Sequence, residues 1–406
     1  MKADFHVIHL PKEQWEGTVI PMRYTTEEYF DVKIDMDKET GKEEKGYYVS
    51  IRKCKFDQPV SHTPEEYDFP DKLYQPHWEK AYAWGIVSEE EETPELLACI
   101  ETCPEEWSNR LIVTELWVHE KFRRQGIAHA LMAIAKEQAV LEHRRAVILE
   151  TQSCNVGAIR FYQKEGFELI GFDSCCYSNR DLERKEVRIN MGYFPGRKQK
   201  ITKETLVIRR EEESDFYKTE EMTLRAFWNK YHMGCNEHFL VHKLRDCEDY
   251  LPELSRVAAV GDEIAGAIFY SKAYLKKEKE VKEILTFGPL CAAPEWQGCG
   301  VGGMLLEETL RLAKEAGYEG VVIFGEPDYY PLHGFRTCDR FGITTAEGKN
   351  SDAFMGIELV EGGLSGFGGR FYESEVFENL PEEETEQFTK KFDAPAKRKF
   401  PGQWDS

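Results

Sequence analysis

Apolar residues in this chain fall into short runs divided by polar turns, and one order of runs occurs twice. Residues 111–118, Leu-Ile-Val-Thr-Glu-Leu-Trp-Val, are apolar and rich in branched side chains, which predicts a strand. A short basic turn follows. Residues 128–140 then carry apolar side chains at Ala130, Leu131, Ile134 and Ala135, a helical spacing. The same succession returns downstream, with a strand predicted over 284–292 and a helix over 302–316 through Met304, Leu305, Leu310 and Leu312. The intervening turns read Arg123-Arg124-Gln125-Gly126-Ile127-Ala128 and Gln297-Gly298-Cys299-Gly300-Val301-Gly302, 174 residues apart and in one frame. Each copy is followed by Tyr-x-x-x-Gly-Phe, as Tyr162 with Gly166-Phe167 and Tyr330 with Gly334-Phe335. One module is therefore used twice.

The polar stretch Phe194-Pro195-Gly196-Arg197-Lys198-Gln199-Lys200 separates the modules. Val187, Ile189 and Met191 alternate ahead of it, and Leu206-Val207-Ile208 begins a strand behind it, so domains are expected at 1–195 and 205–406. Within the second module the pattern predicts a helix over 215–229. A hairpin over 256–260 and 263–270 turns at Gly261-Asp262, and a buried strand covers 320–324. The tail holds a glycine-rich stretch over 362–369, then Pro381-Glu382-Glu383-Glu384 and Ala396-Lys397-Arg398-Lys399, expected to be solvated surface. Residues 13–76 show no readable pattern.

Composition narrows the classes. With 406 residues and 41% hydrophobic side chains the chain can bury two ordinary cores. No apolar run approaches the roughly 18–20 residues of a membrane span, and Met1-Lys2-Ala3-Asp4 does not begin a signal peptide. Eleven cysteines without paired spacing fit a reducing compartment, so a cytoplasmic protein is expected. A net charge of −21 argues against non-specific nucleic-acid binding. It serves solubility first, and mildly favours cationic small molecules as partners.

Small residues at the start of a helix leave main-chain N–H groups open to an anion such as a pyrophosphate. Gly298-x-Gly300-x-x-Gly303 also fits the dinucleotide pattern, with Glu326 near the place of a ribose-binding acid. Against that reading, Pro294-Glu295-Trp296 intervenes before the first glycine, and the first turn keeps only Gly126. Cys235-x-x-His238-x-x-x-His242 has metal-ligand spacing on one helix face, yet no fourth ligand is convincingly spaced, even with Cys247 nearby. Helix packing or the lining of an acceptor pocket is the better account, and no metal is expected. Trp228, Asn229 and Tyr231 belong to the same mouth or to aromatic core.

The turn frame, together with Asn155-x-x-Ala158-x-x-Phe161-Tyr162-x-x-x-Gly166-Phe167, resembles the acetyl-CoA motif of the GNAT N-acetyltransferases, in both halves. The first half is similar to streptothricin acetyltransferases over Leu149-Glu150-Thr151-Gln152-Ser153-Cys154-Asn155 and Gly171-Phe172-Asp173-Ser174-Cys175-Cys176-Tyr177-Ser178-Asn179. The second half resembles a bacterial GNAT subgroup through Phe287-Gly288-Pro289-Leu290, Pro294-Glu295-Trp296-Gln297-Gly298 and Gly325-Glu326-Pro327-Asp328-Tyr329-Tyr330. This resemblance implies an α/β (α+β) fold of two tandem domains, each a mixed, mostly antiparallel sheet flanked by helices. It implies an N-acetyltransferase with acetyl-CoA as co-substrate, acting by direct transfer on the primary amine of a small cationic acceptor, a streptothricin-like antibiotic or polyamine. A non-catalytic acyl-CoA-binding protein is the alternative. Oligomeric state is left open.

An amine with a pKa near about 10.4 must lose a proton before it attacks a thioester. Glu115 on the motif strand is the first candidate base, acting through water, and Glu150 the second; each is otherwise an ordinary carboxylate. The resemblance gives Tyr162 the role of acid to the departing thiolate, and Tyr330 the same role in the second half. It places the acyl arm against main-chain N–H groups of Leu116, Trp117 and Val118, and of Leu290, Cys291 and Ala292. The diphosphate falls to the two turns, and Asn155 either holds the pantetheine arm or caps a helix. Aligning Leu290 on Leu116 puts Pro289 opposite Glu115, and aligning Tyr330 on Tyr162 puts Ile323 opposite Asn155. Glu326 and Asp328 are the remaining acids there, so the second half is either a transferase for another amine or a CoA-binding support.

Overall fold

The computed structural model describes residues 5–36, 47–63, 70–88, 94–195, 206–401 and 403. They form two units, Met1–Pro195 and Gly196–Ser406. The separating stretch at 196–205 lies outside the described residues.

The first unit runs β1 (Ile8–Leu10), α1 (Lys12–Trp15), β2 (Tyr24–Met36), β3 (Tyr47–His62), β4 (Tyr82–Val87), β5 (Leu96–Glu105), β6 (Arg110–Val118) and α2 (Ile127–Leu141). It continues with β7 (Ala146–Gln152), α3 (Val156–Lys164), β8 (Glu168–Asp173), α4 (Asp181–Arg184) and β9 (Arg188–Tyr193). Seven strands make a sheet in the order β1-β4-β5-β6-β7-β9-β8, in which β6–β7 is the parallel pair and the other neighbours are antiparallel. Along β6 the buried positions alternate, Leu111, Val113, Glu115 and Trp117, so a carboxylate occupies a core-facing place. Helix α2 closes that face with Leu131, Met132, Ile134, Ala135 and Ala139.

Strands β2 and β3 form a separate two-stranded ribbon within the stretch where no pattern was readable. Its anchor is polar and buried. Cys154 Sγ lies 3.6 Å from His62 Nε2 and 3.3 Å from the Tyr24 hydroxyl, and His62 Nδ1 lies 3.7 Å from Glu186. The Phe30 amide donates to the Ser153 carbonyl at 2.9 Å. Burial pushes the Cys154 thiol up to about 11, which makes it a packing group and not a nucleophile.

The second unit runs β10 (Val207–Arg209), α5 (Phe216–Phe227), α6 (Glu237–Leu244), β11 (Arg256–Val260), β12 (Glu263–Lys277), β13 (Glu280–Ala292), α7 (Val301–Glu315) and β14 (Gly320–Phe324). Then come β15 (Arg336–Thr337), β16 (Ile343–Thr344), β17 (Phe354–Glu358), β18 (Gly369–Tyr372) and α8 (Glu382–Thr389). The main strand order is β10-β11-β12-β13-β14-β17-β15, with β13–β14 parallel and β18 joining β12 to β16.

Register exposes the duplication and corrects one alignment. Leu111 pairs with Val147, and Leu285 with Val321, so both strand pairs keep the 174-residue offset. The tyrosines do not, because α3 has shrunk to a 3-10 turn at Tyr330–His333. Ile323 therefore stands opposite Leu149 and not Asn155; it lies inside β14, paired with Met355 and buried.

The two charged runs of the tail are largely exposed, as expected. Glu382, Glu383 and Glu384 are exposed in the first turn of α8, where acidic side chains suit the helix dipole. The second run keeps Lys397 and Lys399 exposed and in addition docks through its main chain. Asn229 Oδ1 accepts from the Arg398 amide at 3.0 Å and from the Gly234 amide at 2.9 Å, its Nδ2 donates to the Ala396 carbonyl at 3.2 Å, and Phe400 is buried.

Candidate active site

In both units the motif strand is paired on one side and abandoned on the other. Strand β6 stays with β5 along its length but meets β7 only over Arg110–Ile112. Strand β13 likewise follows β12 and touches β14 only at Leu285. The strands then diverge, which opens a notch at the carboxyl ends. A bulge sits at the same place in each, between Glu101 and Thr102 on β5 and between Ile268 and Tyr270 on β12.

Alternation decides which amides face the notch. The His119 amide donates to the Leu97 carbonyl at 2.8 Å, and the Ala293 amide to the Ala265 carbonyl at 3.0 Å. Trp117 and Cys291 thus turn their main-chain groups toward β5 and β12, while Leu116, Val118, Leu290 and Ala292 turn theirs toward the notch. Beyond the strand, Arg123 Nε donates to the Val118 carbonyl at 3.0 Å and Gln297 Nε2 to the Ala292 carbonyl at 3.3 Å, so the turns fold back identically.

Each turn uses two left-handed residues, Arg124 (φ 63°) and Gly126 (φ 88°), then Gly298 (φ 72°) and Gly300 (φ 86°). Gly126 and Gly300 cap α2 and α7, and a Cβ placed on either would meet nothing within 4 Å. Gln125, Ile127 and Ala128, like Cys299, Val301 and Gly302, continue these turns, with Ile127 and Val301 buried and a Cβ on Gly302 set 2.9 Å from the Tyr329 hydroxyl. The first N–H groups of a helix have no partner within the helix itself, which suits a diphosphate. Asn155 caps α3, accepting from the Ala158 amide at 3.2 Å.

Carboxylates gather on the first notch. Burial raises Glu115 well above the ordinary carboxylate range, and the charges of Asp71, Glu101 and Glu150 add to it. Glu101 accepts from the Tyr74 amide at 2.5 Å and the Thr114 hydroxyl at 2.7 Å. Glu150 is raised by burial despite its 2.9 Å ion pair with Arg188. Tyr162 is buried beside them, its phenol held above the usual range by burial and by Glu115. Sequence reasoning missed Asp71 and Glu101. Glu101 was detectable as a lone acid within the apolar run Leu-Leu-Ala-Cys-Ile-Glu-Thr-Cys; Asp71 carries no such signal.

The second notch has other chemistry. Pro289 takes the place of Glu115, and Tyr330 packs against Phe287, Tyr329 and Phe335 with its phenol raised chiefly by burial. Tyr231 donates to Glu326 at 2.8 Å, and Lys230 lies beside them, its ammonium 5.1 Å from the Tyr231 ring centre. The Cys235 motif is packing. His238 Nδ1 lies 3.5 Å from Cys235 Sγ and Nε2 2.9 Å from the Thr389 hydroxyl, while His242 meets Glu220 at 3.0 Å. Among the described residues no group of three or more His, Cys, Asp or Glu could hold a metal ion. Nor is any described helix long and apolar enough to cross a membrane.

The sequence matches the Acetyltransferase (GNAT) family over residues 48–167 and 209–335, together more than half of the chain. It is 32% identical over 127 residues to the uncharacterized N-acetyltransferase YjhQ of Escherichia coli (strain K12), covering 31% of this chain and 67% of that protein. A streptothricin acetyltransferase of Escherichia coli is 32% identical over 90 residues, 22% of this chain. The chain spans about half (52%) of that relative's length. Among solved structures, the GNAT N-acetyltransferase YhbS from Escherichia coli, in complex with CoA, aligns at TM-score 0.39 and 24% identity, over 44% of this chain and 94% of that one.

Proposed function

This chain belongs to the GNAT acetyltransferase family, and from that premise we propose that its first unit transfers an acetyl group from acetyl-CoA directly to a primary amine of a small cationic acceptor. Streptothricin-like antibiotics and polyamines are the favoured acceptors. The supporting observation is the gathering of Asp71, Glu101, Glu115 and Glu150 around an opened strand whose core-facing acid is Glu115. That charge draws in an ammonium group, and the raised proton affinity of Glu115 suits it to take a proton from that group.

Acetyl-CoA, when bound, supplies the activated acyl carbon. Leu116 and Val118 amides would hold its carbonyl oxygen as charge develops, and the turn from Arg123 to Ala128 would hold its diphosphate. Glu115 takes the first amine proton, directly or through water; Tyr162 gives its proton to the departing sulfur and recovers the second proton from the acetylated nitrogen, so the one proton released overall leaves through Glu115 to solvent and no covalent enzyme intermediate is needed. In the second unit Tyr330 would have the matching role, on a different amine. The eleven thiols, all free, fit a reducing cytoplasm, where we place the reaction.

Acetyl-CoA consumption by the full chain, screened against streptothricin, aminoglycosides, polyamines and peptides, tests the proposal. Turnover with polycationic amines that collapses in Glu115→Gln supports it. Calorimetric CoA binding with no acceptor in any panel would return the chain to a non-catalytic acyl-CoA-binding role.

A further inference from the structure

Arg188, a cation at the first notch, is engaged by Glu150 at 2.9 Å and Asp173 at 3.9 Å. The second notch holds its charge differently. Lys230 follows α5, with its ammonium 5.7 Å from the Phe227 ring centre and 5.1 Å from that of Tyr231. The described structure gives its Nζ these ring faces and neither a hydrogen bond nor an ion pair. Burial lowers its pKa, and Glu326, Cys291 and Glu237 are the charged or titratable groups that oppose this. Glu326 is oriented by the Tyr231 hydroxyl, and Glu237 is turned back onto the Asn236 amide at 3.1 Å. The Lys230–Tyr231 turn itself is held by Asn229, which clasps the docked tail.

A half-buried ammonium resting on aromatic faces is partly desolvated, and an incoming carboxylate would gain a charge-assisted hydrogen bond there. Glu326, bonded by the Tyr231 hydroxyl, is close enough to act on that ammonium electrostatically. We propose that the second unit takes a zwitterionic acceptor, an amine bearing a carboxylate, with Lys230 holding the carboxylate and Glu326 facing the ammonium group. This rests on the reading of that unit as an acetyl-CoA-dependent transferase. It separates the two halves by acceptor charge, polycationic in the first and amino-acid-like in the second.

The test uses the full chain carrying Tyr162→Phe, so that the first unit is silenced, with acetyl-CoA and acceptor twins differing only by a carboxylate: lysine and cadaverine, ornithine and putrescine, tyrosine and tyramine. The carboxylated twin should be favoured by about tenfold or more in kcat/KM. Lys230→Met should erase the preference by raising KM for that twin alone, and Lys230→Arg should keep it. Equal use of both twins, or an equal loss for both in Lys230→Met, overturns the inference. So does mass-spectrometric acetylation of Lys230, which would make it the acceptor and not the anchor. If neither twin turns over, calorimetry of each twin against the CoA-saturated chain decides, and binding indifferent to the carboxylate overturns it. One CoA bound per chain in place of two would instead remove the underlying donor site.

Discussion

Tyr162→Phe separates catalysis from structure more cleanly than any other single change. The ring stays where it is, against Phe161 and Phe167 with centroids 5.5 and 6.0 Å away. The lost phenol oxygen makes no hydrogen bond to a described residue, so its removal should alter stability by less than about 1 kcal/mol. If that oxygen protonates the departing thiolate, its loss should lower kcat by roughly 10²–10⁴-fold. At about 1.36 kcal/mol per decade this is about 3–5 kcal/mol of barrier, well clear of the structural effect. Burial and the Glu115 charge keep the phenol protonated through neutral pH, so the variant should lose rate without changing the shape of its pH profile. Initial rates of free-thiol release at saturating acetyl-CoA, beside a thermal unfolding curve, measure both quantities. A kcat within about threefold of the parent, with unfolding unchanged, would refute the acid role.

Glu115 should set the acid limb of that profile. A base must be ionised, and this one is raised well above the ordinary carboxylate range, so kcat/KM should fall as pH drops through the raised value. Glu115→Gln should remove the limb with most of the rate; a limb that persists assigns it elsewhere. Gly266→Ala would set a Cβ 2.8 Å from the Cys291 carbonyl and 2.7 Å from Val301, forcing the start of α7 and the end of β13 away from β12. A stability loss of about 1–3 kcal/mol and weakened CoA binding at the second site alone are expected, read by urea unfolding and calorimetric stoichiometry. His238 is pushed down to about 4 by burial, from an ordinary 6.5. The unfolded state binds its proton first, so this stability is whole above 6.5 and is lost as pH falls toward 4, by about 3 kcal/mol in all. Urea midpoints compared with those of His238→Asn across that window should converge, and parallel curves would deny the linkage.

Much of this architecture could be read from residue order, because the motif strands and helices bury one face and so carry strong periodicity. Strand β6 alternates through Leu111, Val113 and Trp117, and α7 keeps Leu305, Leu306 and Ala313 inward. The β2–β3 ribbon escaped because much of it is exposed; Val32 and Ile34 alternate with Lys33 and Asp35, but only Val32 among them is buried. The lost turn of α3 escaped for a different reason. An ungapped alignment on Tyr162 and Tyr330 could not see six residues missing between strand and tyrosine, and only the pairing of Leu285 with Val321 reveals them. The acids of the first notch were half visible, since Glu115 stands on a predicted strand and Glu150 in the run 149–155 that carries the resemblance, while Asp71 comes from a loop. The docking of residues 396–400 had no signal, because its contacts run through main-chain groups that any sequence supplies.

Main-chain donors have one further property. Every residue except proline brings an N–H, so a grip through Leu116, Val118, Leu290 and Ala292, as proposed, would be indifferent to which side chains stand there. A duplicated module of this kind could drift freely on the opposite bank of its notch, exchanging acids for a lysine or trimming a helix to a single turn, while its hold on a shared donor molecule would pass unaltered from one copy to the other.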